Sequence, residues 1–76
     1  PFNPSTTLSL SLNEDSQVKV LVYNINGQII DSIMDEYLFK GSHDIIWNAE
    51  SFTSGMYFIK VHSNQGAITQ KVLLVK

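Results

Sequence analysis

Cysteine is absent from this 76-residue chain, so neither a disulfide framework nor a thiolate metal site can brace it. Stability must come from packing. The absence leaves the compartment open, because a cytosolic protein and an exported bacterial protein that avoids unwanted oxidation would both look this way. Long apolar runs are missing as well. The longest, such as Val72-Leu73-Leu74-Val75, are strand-sized, well short of the roughly 20 residues of a membrane-spanning helix, and no membrane span is expected. Basic charge is scarce: five lysines and arginines stand against seven acids, for a formal net charge of −2 and a pI near 5.4. A nucleic-acid-binding domain calls for a basic stripe and a pI above about 9, so no nucleic-acid partner is expected. The start, Pro1-Phe2-Asn3-Pro4, is neither basic nor followed by an apolar stretch of targeting length. Such an abrupt beginning suggests a piece cut from a longer protein.

Catalytic signatures are equally thin. The four glycines stand singly at turns, with no nucleophile elbow, phosphate loop or dinucleotide fingerprint among them. His43 and His62 have no partner at metal-ligand spacing and read as solvent-facing strand residues. Asp35 and Glu36 are adjacent, so in an extended chain they point apart and cannot serve one bond as acid and base. Asn13-Glu14-Asp15 has the oxygens a calcium ion takes but not the alternating ligands of a calcium loop, and reads as a solvated turn. These residues imply no enzyme activity, no metal and no cofactor.

What is present is a period of two. The chain is 43% hydrophobic and 16% charged, the composition of a folded globule with room for one domain and one core. Leu8, Leu10 and Leu12 alternate with serines, and after the polar turn Asn13-Glu14-Asp15-Ser16 the valines 18, 20 and 22 alternate with Lys19, Leu21 and Tyr23. Asn24-Ile25-Asn26-Gly27 holds an Asn-Gly pair, the signal of a tight primed hairpin with positive φ at two successive residues. A third strand is expected from Gln28 to about Ile33, then a crossing between sheets over residues 35–40, closed by Gly41-Ser42. Strands are further expected from His43 to Trp47 and from Met56 to Val61, with Phe52 plugging the core end between them. A last hairpin at Ser63-Asn64-Gln65-Gly66 leads to a strand from about Ala67 to Val75. Six or seven short strands with no helical periodicity describe an all-β fold, a small antiparallel sandwich of the immunoglobulin or fibronectin kind.

Bulky aromatics could fill such a core or form a sugar-stacking platform. Trp47 and Tyr57 are in phase with Ile45 and Ile59 and are expected in the core, whereas Tyr37 and Phe39, in the crossing segment, are the aromatics expected at the surface. A carbohydrate-binding or adhesive spacer module, with Tyr37 and Phe39 on the ligand, is therefore one functional reading.

A second reading comes from wording. Pro1-Phe2-Asn3-Pro4-Ser5-Thr6-Thr7, stiffened by Pro1 and Pro4, is followed in order by Val22-Tyr23-Asn24-Ile25-Asn26-Gly27-Gln28, Ser54-Gly55-Met56-Tyr57-Phe58-Ile59-Lys60-Val61 and Lys71-Val72-Leu73-Leu74-Val75-Lys76. Together these phrases resemble the C-terminal sorting domain of type IX secretion cargo over essentially the whole chain. The middle phrases are shared with a hook-capping immunoglobulin-like domain. Met56 departs from the small or β-branched residue commoner there, and the aromatic-Pro-Asn prelude usual before the opening phrase is missing. The resemblance implies a domain at the C-terminus of a large exported protein of a Gram-negative bacterium. Its implied partners are the outer-membrane translocon, a sorting protease and shuttle proteins, and the upstream cargo domain, with residues 1–5 as the junction. The cargo would travel through the periplasm to the cell surface or the medium. The motif places recognition on Lys71, Val72, Leu73, Leu74, Val75 and Lys76. Pro1, Asn3, Pro4, Gly27, Gly55 and Tyr57 would be structural. On physical grounds the terminal strand either lies at a sheet edge and offers unpaired backbone groups to a partner, or is simply the last strand of the core; the two are compatible.

Overall fold

The alternation of leucine with serine and threonine makes β1 (Ser5–Leu12), whose Leu8, Leu10 and Leu12 are buried while the residues between them face water. β2 (Ser16–Tyr23) repeats the pattern with Val18, Val20 and Val22. Four further strands follow, β3 (Ile29–Leu38), β4 (Gly41–Asn48), β5 (Gly55–Ser63) and β6 (Gly66–Leu74). The computed structural model describes residues 5–75. The opening Pro1, Asn3 and Pro4 and the terminal Lys76 lie outside them.

All pairings are antiparallel. β1 pairs with β4 as a two-stranded layer, and the other layer has the order β3-β2-β5-β6. Leu8, Leu10, Leu12, Ile45 and Trp47 face the interior from the smaller layer, and Val18, Val20, Val22, Tyr57, Ile59, Val61 and Leu74 from the larger. The described residues thus form an all-β, six-stranded sandwich, as the alternation predicts.

Three local expectations are corrected. The third strand does not stop near Ile33. It runs to Leu38, so Tyr37 belongs to β3 and the crossing to the other sheet is made by Phe39 and Lys40 alone. The extension is hidden because β3 carries two bulges, between the partners of Val20 and Leu21 and of Val22 and Tyr23. Each places two residues against one and breaks the period of two. The Asn-Gly turn is not a two-residue primed turn. Gly27 (φ +81°) takes positive φ, Asn26 does not, and Asn24 pairs with Gln28 around a three-residue loop. The Asn24 carboxamide explains the choice: its Oδ1 accepts from the backbone N–H of both Asn26 (2.9 Å) and Gln28 (3.0 Å). Finally, His43 and His62 are half-buried rather than solvent-facing, and His43 Nε2 donates to the Phe39 carbonyl (2.6 Å).

Candidate functional site

Following strand direction through the pairing gathers the chain's distinctive residues at one pole. β1 enters there, since Ser5 pairs with Asn48 at the end of β4. The turn at residues 24–28, the loop at 49–54 and the end of β6 lie at the same pole, because Tyr23 sits opposite Ile29 and Phe58, and Leu74 opposite Gly55. We call this pole proximal. The distal pole holds the β1–β2 turn, Phe39-Lys40 and the β5–β6 hairpin.

Under the proximal pole three aromatic rings close the core. Trp47 packs on Phe52 and Tyr57 at centroid distances of 5.5 and 5.4 Å, and Phe52 lies 6.3 Å from Tyr57. Each polar handle is satisfied. The Tyr57 hydroxyl donates to the Thr53 carbonyl (2.7 Å), and Trp47 Nε1 donates to Asp31 Oδ2 (3.0 Å). Phe52 N–H donates to the Ala49 carbonyl (3.0 Å), which shapes the loop so that the ring turns inward. Phe52 is the plug expected from its place in a polar loop. Between this loop and the 24–28 turn opens a cleft of about 420 Å³, walled by Asn24, Ile25, Ile30, Thr53, Ser54 and Met56. Residues from two of the four sequence phrases thus share one concavity.

The distal pole is stitched by short polar bonds. Gln65 Oε1 accepts from Asn13 N–H (2.7 Å), Asp15 Oδ1 from Lys40 N–H (2.8 Å), Glu14 Oε2 from the Asn64 amide (3.1 Å), and the buried Ser16 Oγ from Asn64 N–H (2.9 Å). The Asn13 backbone N–H and the Glu14 and Asp15 carboxylates thus join this turn to two other loops. Among the described residues no group of three metal-ligating side chains could hold an ion.

Of the residues singled out in sequence, Gly27 takes the positive-φ position of its turn and the half-buried Gly55 opens β5. Tyr57 is buried. Lys71, Val72, Leu73 and Leu74 lie on β6, and Val75 follows it, exposed. β6 is an edge strand, paired on one side with β5 and open on the other. Its two faces differ. Leu74 is 7% exposed and turned to the core, whereas Leu73 is 66% exposed on the outer face. Tyr37 and Phe39 are exposed at the distal pole with ring planes at 90° and centroids 6.2 Å apart, so they do not form one flat platform for a sugar ring.

Sequence reasoning missed a basic outer face on the larger sheet. Lys19, Lys60 and Lys71 all project from it, with Tyr23, Phe58 and Leu21 between them. The signal was available, since each lysine is out of phase with its strand's apolar set. Its meaning depended on which strands pair.

A family model described as the secretion system C-terminal sorting domain matches residues 1–76. No curated protein and no solved structure matches the chain.

Proposed function

Since the chain belongs to the family of secretion system C-terminal sorting domains, we propose that the export machinery reads it at the proximal pole and along the edge strand β6. The domain is a sorting signal for type IX secretion: it directs a larger cargo chain, of which it is part, through the periplasm to the surface or surroundings of a Gram-negative bacterium. Membership of this family favours sorting over the carbohydrate-binding or adhesive alternative. The family's role is not catalytic, and in this reading the domain does no chemistry; any activity belongs to the cargo.

The observation that carries the reading is convergence. The turn at 24–28, the start of β5 and the end of β6 come from three separate phrases of the sequence, yet they meet at one pole, and β6 leaves its outer side unpaired. An edge strand supplies backbone donors and acceptors to a partner by strand addition, while its side chains set specificity. In this role Lys71, Val72, Leu73, Leu74, Val75 and Lys76 form the element contacted by the outer-membrane translocon or its shuttle proteins, before a sorting protease acts. Gly27, Gly55 and Tyr57 hold the pole in shape. In this reading residues 1–5 are the junction to the cargo, and the described residues beyond them form one folded unit.

The test is a fluorescent reporter carrying a signal peptide ahead of residues 1–76, produced in a host with the type IX system. The reporter is expected outside the outer membrane. Retention in the periplasm would overturn the reading. Removing residues 71–76 is expected to stop export, with circular dichroism of the purified variant separating lost recognition from lost fold.

A further inference from the structure

The open edges of the two sheets differ in charge. β3 carries Asp31, Asp35 and Glu36, β4 carries Asp44, and β1 has no charged residue. β6 presents one cation, Lys71, and no acid. β3 is also distorted by its two bulges, a common way of blunting an edge, whereas β6 pairs with β5 in unbroken register over all nine residues. β1 and β4 also pair in unbroken register, so it is charge that singles out β6, the one edge strand among the described residues with a cation and no acid.

Behind that edge the register arranges the outer face in rows. Tyr23, Phe58 and Lys71 form one row, and Leu21, Lys60 and Thr69 the next. With Lys19, this face holds three of the four lysines among the described residues, and the acid paired onto it, Asp35, lies opposite Lys19 on the far strand. A chain of net charge −2 thus concentrates its positive charge on one face. A depression of about 230 Å³ beside Tyr23, Phe58, Lys60 and Thr69 indents it.

The inner side of β6 is also incomplete. Ile68 pairs with the buried Val61 and so faces inward, yet it is 56% exposed, and its inward neighbour Gln70 is exposed too. The two-stranded layer does not reach over the first half of β6.

We propose that β6 receives an acidic, extended polypeptide segment as an added strand, with carboxylates on the outer face and apolar side chains on the inner one. This deepens the terminal-strand reading above and rests on it. A strand added beside β6 lies about 4.8 Å away, so a carboxylate at the position opposite Lys71 is its direct cross-strand neighbour. The position opposite Thr69 faces Lys60 one strand further in. Thr69 is short, and the four-carbon stem of lysine spans it. These two positions are separated by one residue, whose side chain turns inward beside Gln70. The inward residues on either side of the pair cover Ile68 and Val72. Backbone bonds supply affinity for any strand, and the lysines select the acidic one. The edges bearing Asp31, Asp35, Glu36 and Asp44 repel it.

Two fluorescein-labelled peptides test this, Thr-Val-Glu-Val-Glu-Val-Thr and the same peptide with lysine in place of each glutamate. Fluorescence polarisation at low ionic strength is expected to show the acidic peptide binding at least about tenfold more tightly. Amide shifts in NMR spectra should concentrate on β6. The double variant Lys60→Glu/Lys71→Glu is expected to invert the preference, and Lys40→Glu, at the distal pole, to leave it intact. The proposal is overturned by equal binding of both peptides, by a preference that survives the double variant or disappears in Lys40→Glu, or by shifts confined to another edge. It is overturned equally if the chain alone dimerises through β6, or if dextran sulfate binds with the same lysine dependence while the acidic peptide does not. Failure of the sorting reading looks different: the wild-type reporter fusion would stay in the periplasm. If only the acidic-strand inference fails, that fusion is exported and the double variant with it.

Discussion

Trp47 on β4 donates from its indole Nε1 to Oδ2 of Asp31 on β3, 3.0 Å away, and this bond ties the two sheets together at the proximal pole. Asp31 is placed to accept it by the irregular register of β3, which sets it opposite the inward-facing Val22. The indole is 2% exposed. A donor so deeply placed has no access to bulk water, and loss of its acceptor leaves a desolvated N–H rather than a rehydrated one.

A double-mutant cycle measures that link. Asp31→Ala is expected to lower the unfolding free energy by about 1.5–3 kcal/mol, because the acceptor is charged and the donor it abandons is buried. Trp47→Phe removes the donor together with part of the core. The coupling energy between the two is expected at about 1–2 kcal/mol from urea titrations followed by circular dichroism. A coupling indistinguishable from zero would mean that the bond adds nothing to the association of the layers.

Tyr57 makes the second polar link of the pole, and two substitutions separate its ring from its hydroxyl. Tyr57→Phe loses the 2.7 Å bond to the Thr53 carbonyl and is expected to cost about 1 kcal/mol. Tyr57→Ala also loses the contacts with Trp47 and Phe52 and is expected to cost about 3–5 kcal/mol. For 76 residues the total stability is of the order of 4–11 kcal/mol. The alanine variant loses a large fraction of that total and should melt well below the phenylalanine variant, as thermal melts would register.

How far such positions could be read in advance depended on whether a residue's role follows from its own strand. Leu8, Val20, Ile45, Trp47, Tyr57 and Ile59 are buried as their alternation implies, because a half-covered sheet turns every second side chain inward. β3 resisted the same reading. Ile30 and Ile33 occupy its bulges and pack against the core, so apolar residues recur in pairs and the strand looks shorter than it is. The division into two and four strands was illegible, since it is decided by partner choice. For the same reason the four phrases could be recognised in order along the chain, but their meeting at one pole could not.

The turn between β2 and β3 offers a test of backbone conformation free of packing. Gly27 sits at φ +81°, and a Cβ added there would meet nothing within 4 Å. The cost of Gly27→Ala is therefore the conformational penalty alone, about 1–2 kcal/mol. Gly27→Asn is expected to recover part of it, since asparagine tolerates the left-handed region better. A clash would instead make the larger asparagine worse than alanine, and urea midpoints of the two variants decide between these outcomes.

Adjacent leucines on β6 separate recognition from folding. Leu74 faces the core opposite Gly55, so Leu74→Ala is expected to cost about 2–5 kcal/mol and to impair export through the fold. Leu73 lies opposite Met56 with 66% of its surface exposed, and Leu73→Ala should change stability by no more than about 0.5 kcal/mol. If the machinery contacts the outer face of this strand, Leu73→Ala reduces export of the reporter while its melting curve stays that of the parent. If instead Leu73→Ala is exported normally and only Leu74→Ala is retained, the terminal phrase acts by completing the sandwich, and the contact surface must be sought elsewhere on the proximal pole.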